Sequence, residues 1–164
     1  MKSLLIALAA LVALCTTSAL CQADSHAAFE RLKSLQGSWT GKASESQSLQ
    51  VSFRLTSNGS ALMSEIAAPE NMISMFHLDG DRLMMTHYCG AGNQPRMVGS
   101  MSPDGKTISF NFLDATNVLS TQPGHMERLV VTLIDPNHHT EEWSFVDRDG
   151  KTHQHEMFDL HRAN

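Results

Sequence analysis

The chain has 164 residues, a net charge of −5 at pH 7 with neutral histidine, and 41% hydrophobic residues. Its acidic balance and its lack of basic runs argue against nucleic acid or an anionic membrane surface as a partner. Its length fits one domain that can bury a full core without disulfides or metal ions.

The first 23 residues have the pattern of a secretory signal peptide. Lys2 supplies a short positive region, and Leu4–Leu14 is an unbroken apolar run. That run is shorter than the roughly 20 residues that cross a bilayer, so a cleaved signal is expected rather than a membrane span. Cleavage is expected after Ala23, with Ala19 as the alternative site. The predicted protein is therefore periplasmic or secreted and is not inserted in a membrane after cleavage.

Cleavage would leave residues 24–164 as one domain, with Cys89 as its single cysteine. An intramolecular disulfide is then impossible, although the expected destination is oxidising. The domain begins with the segment 25–35, which predicts a short amphipathic helix. Ser25 is its expected N-cap, and the apolar residues within it recur at helical spacing.

After Gly37 the sequence changes to short alternating runs separated by turn signals, which is typical of antiparallel strands. The predicted strands cover residues 37–44, 49–57, 61–67, 72–78, 82–89, 96–102, 107–113, 126–134, 140–146 and 152–162. The predicted turns between them include Asn58-Gly59, Asp79-Gly80, Pro103-Asp104-Gly105, Asp135-Pro136-Asn137 and Asp149-Gly150. Only residues 114–124 are expected to form a long loop.

About ten strands joined in order by tight turns predict an all-β fold, a single up-and-down antiparallel barrel preceded by the short helix. A barrel with more than about eight strands has room inside for a ligand. A two-residue turn at Asp149-Gly150 sets the register of the last hairpin, so that Trp143 pairs with Glu156, Phe145 with Gln154 and Glu141 with Phe158. This register tests the barrel arrangement, because it decides which side chains share a face. All six would face the interior with Leu160, and polar side chains among aromatics suit a ligand cavity.

Two motifs at the ends of the domain resemble those of calycins. Gly37-x-Trp39 follows the helix, and Arg162 ends the last strand. Lipocalins and their calycin relatives share a G-x-W whose indole packs under the barrel floor, with a C-terminal Arg stacked across it. Ten strands are closer to the fatty-acid-binding-protein and nitrobindin branches, and the phrase THYCGAGNQPRM is similar to secreted bacterial proteins of this calycin-like type.

The resemblance implies that the barrel binds a small apolar or amphipathic molecule in its lumen. Nitrobindin-like members hold haem through a histidine near the C-terminal strands, and His155 and His161 are the nearest candidates here. The predicted register places both on the outer face, which argues against haem.

The stretch MMTHYCGAGNQPRM, Met84–Met97, holds most of the candidate ligand contacts. If Asp79-Gly80 forms the preceding turn, alternation puts His87 and Cys89 on the same face as an apolar wall. The predicted ligand-binding residues are Phe76, Met85, His87, Tyr88, Cys89, Asn93, Gln94, Arg96, Trp143 and Glu156. Among them Asn93, Gln94 and Arg96 would line the rim, where Arg96 could hold a ligand carboxylate. The alternative is that His87 is a hydrogen-bonded wall residue and the loop is held by its own Asn and Gln bonds.

Other chemistry stays open as an alternative. Cys89 beside His87 is a possible thiolate–imidazole pair, and an enzyme would use these two with Glu156. His153 and His155 share one strand face, with Glu142 and Asp159 nearby and His138 opposite His161, a loose metal-binding pattern. Soft ligands at Met85, His87 and Cys89 would suit Cu(I).

The expectation that follows is a binding protein for a small molecule, without assigned catalytic residues, metal ligands or cofactor. The alternatives are a haem- or zinc-binding barrel and a small-molecule enzyme.

Overall fold

The computed structural model describes residues 24–44, 47–67, 71–151 and 153–163. The predicted signal peptide, residues 1–23, lies outside these described residues. Within the described ranges, no helix has both the length and the apolar character required to cross a bilayer.

A helix, α1, covers residues 24–33, and ten strands follow it in the described part of the chain. The strands are β1 Gly37–Ser44, β2 Gln47–Thr56, β3 Ala61–Ile66, β4 Met72–Asp79, β5 Arg82–Tyr88, β6 Gln94–Met101, β7 Thr107–Thr116, β8 Gly124–Asp135, β9 His138–Asp147 and β10 His153–Arg162. Each strand pairs with the next in antiparallel fashion, and β1 pairs with β10 to close a barrel. The predicted ten-strand up-and-down barrel is therefore confirmed.

Alternation along the strands explains why this sequence forms a barrel. In β2, Leu49, Val51 and Phe53 are buried, whereas Gln50 and Arg54 are exposed. Successive side chains of a strand point to opposite faces, so one face of each strand joins a common core and the other meets water. The core is one contiguous cluster that includes residues from α1 and from each of the ten described strands.

The helix closes one end of this core. Phe29, Leu32 and Leu35 are buried against the barrel, as their spacing predicts. Ser25 is not the N-cap, because residue 24 is already helical. The Ser25 hydroxyl instead donates to the carbonyl oxygen of Asp81 at 2.8 Å, which ties α1 to the turn between β4 and β5.

The predicted register of the last hairpin is confirmed pair by pair, since Trp143 lies opposite Glu156 and Glu141 opposite Phe158. However, Glu156 and Gln154 are exposed rather than interior. The described pairing of β10 with β1 extends only from Arg162 to Asp159. The earlier half of β10 therefore extends past the β1 pairing, which leaves its side chains open to water.

In the hairpin of β4 and β5 the turn lies at Gly80-Asp81, one residue later than predicted, because Asp79 pairs with Arg82. The pairing partners consequently shift by two residues. A shift of two preserves the faces, since the side-chain period of a strand is two. Phe76 and Met85 therefore still point inward together, although they are now direct partners.

The two ends of the barrel differ. Because the strands alternate in direction, α1 and the connections at 57–60, 80–81, 102–106 and 136–137 share one end, here called the floor. The opposite end, here called the loop end, carries the connections at 89–93 and 117–123. The second of these falls within the predicted loop 114–124, although β7 and β8 each extend into that range.

Trp39 and Arg162 hold the floor together, as the resemblance to calycins implies. The buried Trp39 indole donates to the carbonyl oxygen of Leu35 at 2.7 Å. The Arg162 guanidinium lies 4.3 Å from the centroid of the Trp39 ring. It also donates to the carbonyl oxygens of Gln36 at 2.9 Å, Ser34 at 3.1 Å and Pro136 at 3.1 Å. One side chain thus joins the end of α1, the start of β1 and the turn between β8 and β9.

Gly37 fits beside this contact because it lacks a side chain. Its φ of +129° is a conformation that other residues rarely adopt, and an added Cβ would lie 2.8 Å from Arg162 Nη1. The glycine of the Gly37-x-Trp39 motif therefore leaves room for the guanidinium.

We expect Arg162→Ala to lower the free energy of unfolding by about 2–4 kcal/mol, because it removes the cation–π contact and leaves three carbonyl groups without their donor. Urea denaturation would measure this loss. The control is Arg82→Ala, which removes only an exposed ion pair with Asp79 and should change stability by less than about 1 kcal/mol. Equal urea midpoints for the two variants would contradict the role assigned to Arg162.

Candidate functional site

The candidate site is a set of polar side chains inside the barrel, centred on His87. This residue is the last inward-pointing residue of β5 and is fully buried. Its Nδ1 lies 2.9 Å from the hydroxyl of Ser74, its direct partner on β4. Its ring centroid lies 4.8 Å from that of Trp143 on β9. Three strands therefore fix the orientation of the imidazole.

The polar contacts continue from Trp143 toward the floor. The Trp143 indole donates to Glu141 Oε2 at 2.9 Å, and the other carboxylate oxygen lies 3.4 Å from His139 Nε2. His139 in turn packs edge-on against Trp39, with ring centroids 4.3 Å apart. Ser74, His87, Trp143, Glu141 and His139 are all buried, and together they are here called the interior polar chain.

Two ring nitrogens of this chain lack partners among the described residues. They are His87 Nε2 and His139 Nδ1. Leaving a buried polar atom without a hydrogen bond disfavours the folded state by about 1–3 kcal/mol. A molecule that supplied a hydrogen-bonding group to His87 Nε2 would recover this energy on binding.

Burial lowers the pKa of His87 to about 4, because the charged imidazolium loses its hydration inside the barrel. At neutral pH the ring is therefore uncharged. A neutral imidazole carries one N–H and one lone pair, so Nε2 is a donor or an acceptor according to which role Nδ1 takes toward Ser74. Either form suits an uncharged polar group of a ligand.

The loop after β5 is held by hydrogen bonds rather than left open. The buried Asn93 side chain donates to the carbonyl oxygen of Gly124 at 2.7 Å and lies 3.4 Å from Gln122 Oε1. Asn117 donates to the carbonyl oxygen of Gly92 at 2.5 Å. These contacts join the connection at 89–93 to the connection at 117–123. The alternative expectation had the loop held by its own Asn and Gln bonds, whereas these bonds reach across to the neighbouring connection.

Arg96 faces outward from β6 and already has a carboxylate partner. Its guanidinium binds both oxygens of Asp114 on β7, with Nε 2.6 Å from Oδ1. The hydrogen bonds and charge of this pair raise the pKa of Arg96 and lower the pKa of Asp114. Arg96 was predicted to lie at the rim of a lumen and to hold a ligand carboxylate, and in the structure its side chain points outward with Asp114 as its partner, because Met97 takes the inward position of β6.

The other predicted ligand contacts divide into two groups. Phe76, Met85, His87 and Trp143 are brought together inside the barrel, where all four are buried. The others lie outside this group. Tyr88 is 50% exposed, and Cys89 is half-buried in the loop. Gln94 accepts a hydrogen bond from Thr116, and Glu156 is exposed. His87 makes no described contact with Glu156.

Sequence reasoning missed Ser74, Glu141 and His139 as site residues. The signal for them was present, because the predicted registers place Ser74 on the face of His87 and Glu141 on the face of Trp143. His139 lies two residues before Glu141 and therefore on the same face. Glu156 drew attention as the interior charge, although Glu141 is the buried carboxylate of this hairpin.

The remaining histidines singled out in the sequence point outward, as the predicted register implies. His153 bonds with Glu127 at 2.7 Å, and His155 lies 3.0 Å from the Ser144 hydroxyl. Each of these two imidazoles therefore has its own hydrogen-bond partner, and the two do not converge on a common partner. His138 stacks on His161, with ring centroids 4.2 Å apart.

Two surface grooves are formed by described residues. One, of ≈ 330 Å³, lies between α1 and the floor and includes Arg31 and Arg162 in its lining. The other, of ≈ 380 Å³, crosses β8, β9 and β10 and includes Arg128, Glu142 and His155. Neither groove contains His87 or another residue of β5, although Trp143 of the interior polar chain and the exposed Glu156 contribute to the lining of the second.

No protein-family model matches the sequence, and no curated protein matches it. Among solved structures, the chain is similar to Rv2717c from M. tuberculosis, with a TM-score of 0.54 and 17% sequence identity. The similarity covers 84% of this chain and 98% of that chain. At this identity it shows a shared barrel fold alone.

We expect Asn93→Ala to destabilise the protein by about 1–3 kcal/mol, because the carbonyl oxygen of Gly124 loses its buried donor. Urea denaturation would measure the change. Gln94→Ala, which alters an exposed bond to Thr116 in the same segment, should change stability by less than half as much. A fully stable Asn93→Ala protein would show that the loop is held by other contacts.

The lowered pKa of His87 predicts a pH-dependent stability. Between pH 6.5 and 4 the unfolded chain binds a proton at this position and the folded chain does not, so the free energy of unfolding falls as the pH falls. The shift corresponds to a loss of about 3 kcal/mol by pH 4.

Urea denaturation at a series of pH values would test this. His87→Phe should flatten the curve in that range, whereas His153→Gln on the exposed end of β10 should keep the wild-type slope. An unchanged slope in His87→Phe would assign the pH dependence to other groups.

Proposed function

We propose that this chain is a periplasmic or secreted binding protein that holds a small amphipathic or apolar molecule inside its barrel. The molecule is reached from the loop end, and His87 supplies its polar contact. The signal-peptide pattern of residues 1–23 supports the location. The shared Gly37-x-Trp39 and Arg162 arrangement supports a calycin-like relationship, whose members bind molecules of this class.

The observation that carries the proposal is the buried, uncharged His87 with an unpartnered Nε2. A histidine that was only part of the barrel wall would have both ring nitrogens hydrogen-bonded, since an unpaired buried nitrogen disfavours folding. Otherwise an apolar residue would stand in its place. Trp143 contacts its ring, and Met85 and Phe76 are buried on the same inward face. An unpartnered polar atom beside apolar side chains fits a ligand with one polar head and an apolar body.

The loop end offers a route to this interior. The described backbone pairing of β7 with β8 ends at Asn111 and Arg128, so the two strands separate beyond that point, where the Phe112 ring stacks on His125 of β8 with centroids 4.2 Å apart. Phe112 and Leu113 continue β7 there, and they are 39% and 45% exposed. Val118 and Leu119 in the adjoining connection are also exposed, at 58% and 54%.

Four exposed large apolar side chains at the place where two strands part are unusual for a surface that meets only water. They would give an amphipathic molecule an apolar surface on its way to the interior. At the floor, α1, Trp39 and Arg162 cover the core.

A fluorescent long-chain alcohol is a suitable probe, because it joins one uncharged polar head to an apolar chain. We expect it to bind the wild-type protein and to bind His87→Phe at least about tenfold more weakly, which corresponds to the loss of one buried hydrogen bond. The matched control is His77→Phe, which makes the same change on the outer face of β4. Fluorescence titration gives the affinities.

Native mass spectrometry of the purified protein would show whether a molecule stays bound through purification. A probe that binds His87→Phe and wild-type protein equally, or neither, would overturn the proposal. A Soret band that is present in the wild-type protein and lost in His87→Phe would instead assign the interior to haem.

A further inference from the structure

A second group of side chains with metal-ligand chemistry lies outside the barrel, beside the floor. His138 is the first residue of β9, and its direct partner on β10 is His161. Asp159 lies two residues before His161 and therefore on the same outer face. Ligand atoms of these three side chains all lie within 4.8 Å of one another.

We propose that His138, Asp159 and His161 bind a divalent transition-metal ion, and that Zn²⁺ is the ion that fits their chemistry best. Two imidazole nitrogens and one carboxylate oxygen are a usual ligand set for Zn²⁺, and water can fill the fourth position. Mg²⁺ and Ca²⁺ fit poorly, because both prefer sites made of oxygen ligands.

The distances are close to those that the ion requires. Zn²⁺ with bonds of about 2.0 Å in a tetrahedral site holds its ligand atoms about 3.3 Å apart. His161 Nε2 is 3.4 Å from Asp159 Oδ1, and His138 Nε2 is 2.6 Å from the same oxygen. Small side-chain rotations that lengthen the second distance would admit the ion, with no change in the strands.

The surroundings favour a cation at this place. Both imidazoles direct Nε2 toward one oxygen of Asp159, so the ligand atoms already converge. Lys42 is the partner of Asp159 across β1 and β10, yet no ion pair between them occurs among the described residues. The carboxylate charge therefore remains directed toward the two imidazoles.

The backbone that presents the ligands is firmly held. Arg162 follows His161 directly and is fixed on Trp39 and three carbonyl oxygens. The backbone N–H of Arg162 also donates to the carbonyl oxygen of Asn137, the residue before His138, at 2.9 Å. Ligands carried by paired strands keep their geometry better than ligands on loops.

Within the described ranges of the chain, the other outward histidines form no such group. His153 and His155 share a face of β10, but they bond to Glu127 and Ser144 respectively. They therefore serve as matched controls on the same strand. The proposed metal site shares no residue with the interior polar chain, so each proposal stands or fails without the other.

Isothermal titration of the tag-free protein with Zn²⁺ alone would test this site. We expect one Zn²⁺ per chain, and affinity at least about tenfold weaker in His161→Gln and in Asp159→Asn, each of which removes one ligand. His153→Gln and His155→Gln should bind like the wild-type protein. Titration with Co²⁺ should add visible absorption in the wild-type protein that is lost in His161→Gln.

The side chains of His161 and Asp159 are exposed, so their substitution should not disturb folding. The melting temperatures of these variants without metal should therefore match that of the wild-type protein. Zn²⁺ should raise the melting temperature of the wild-type protein and not that of His161→Gln. The proposal is overturned by a wild-type protein that binds no Zn²⁺, by equal binding in His161→Gln, or by loss of binding confined to His153→Gln or His155→Gln.

Discussion

The contact of Arg162 with Trp39 is the constraint on which the rest of the barrel depends. A barrel must join its last strand to its first, and here that pairing is short, from Trp39 with Arg162 to Lys42 with Asp159. The guanidinium strengthens this closure by binding the carbonyl groups of Ser34, Gln36 and Pro136. It thereby holds the helix, the first strand and a distant turn in one place.

With the floor fixed, the barrel can hold polar groups inside. The interior polar chain begins at His139 beside Trp39 and reaches His87 through Glu141 and Trp143. Each side chain of the interior polar chain is oriented by its neighbour, so a substitution at one end would alter the orientation of the others. The chain has an imidazole nitrogen without a described partner at each end, His139 Nδ1 near the floor and His87 Nε2 toward the loop end. Of the two, His87 Nε2 lies farther from the tightly held floor.

Much of the fold could be predicted from the sequence, because alternation and turn residues are local signals. The register of β9 and β10 followed from Asp149-Gly150 alone. The turn before β5 was placed one residue early, since neighbouring residues there are equally good turn formers, yet the inward face of His87 was unaffected. The side-chain period of two along a strand was therefore enough to predict that the candidate site points inward.

What could not be predicted depends on residues far apart in the chain. Asn93 bonds to Gly124, and Arg96 bonds to Asp114, through contacts that only the closed barrel creates. Glu156 is exposed because the pairing with β1 ends early, which no local pattern of β10 reveals. Sequence spacing assigned these residues to a face, but it could not give their partners.

Both α1 and the end of β10 lie at the floor. This position determines how the protein can be immobilised on a surface or fused to another domain. The described chain enters and leaves the barrel at the same end, since α1 begins against the turn between β4 and β5 and the last strand ends at Arg162. A surface, a carrier domain or a reporter joined there would sit behind the floor. The exposed apolar residues around Phe112 and Leu119 would then face away from the support, free to meet molecules arriving from solution.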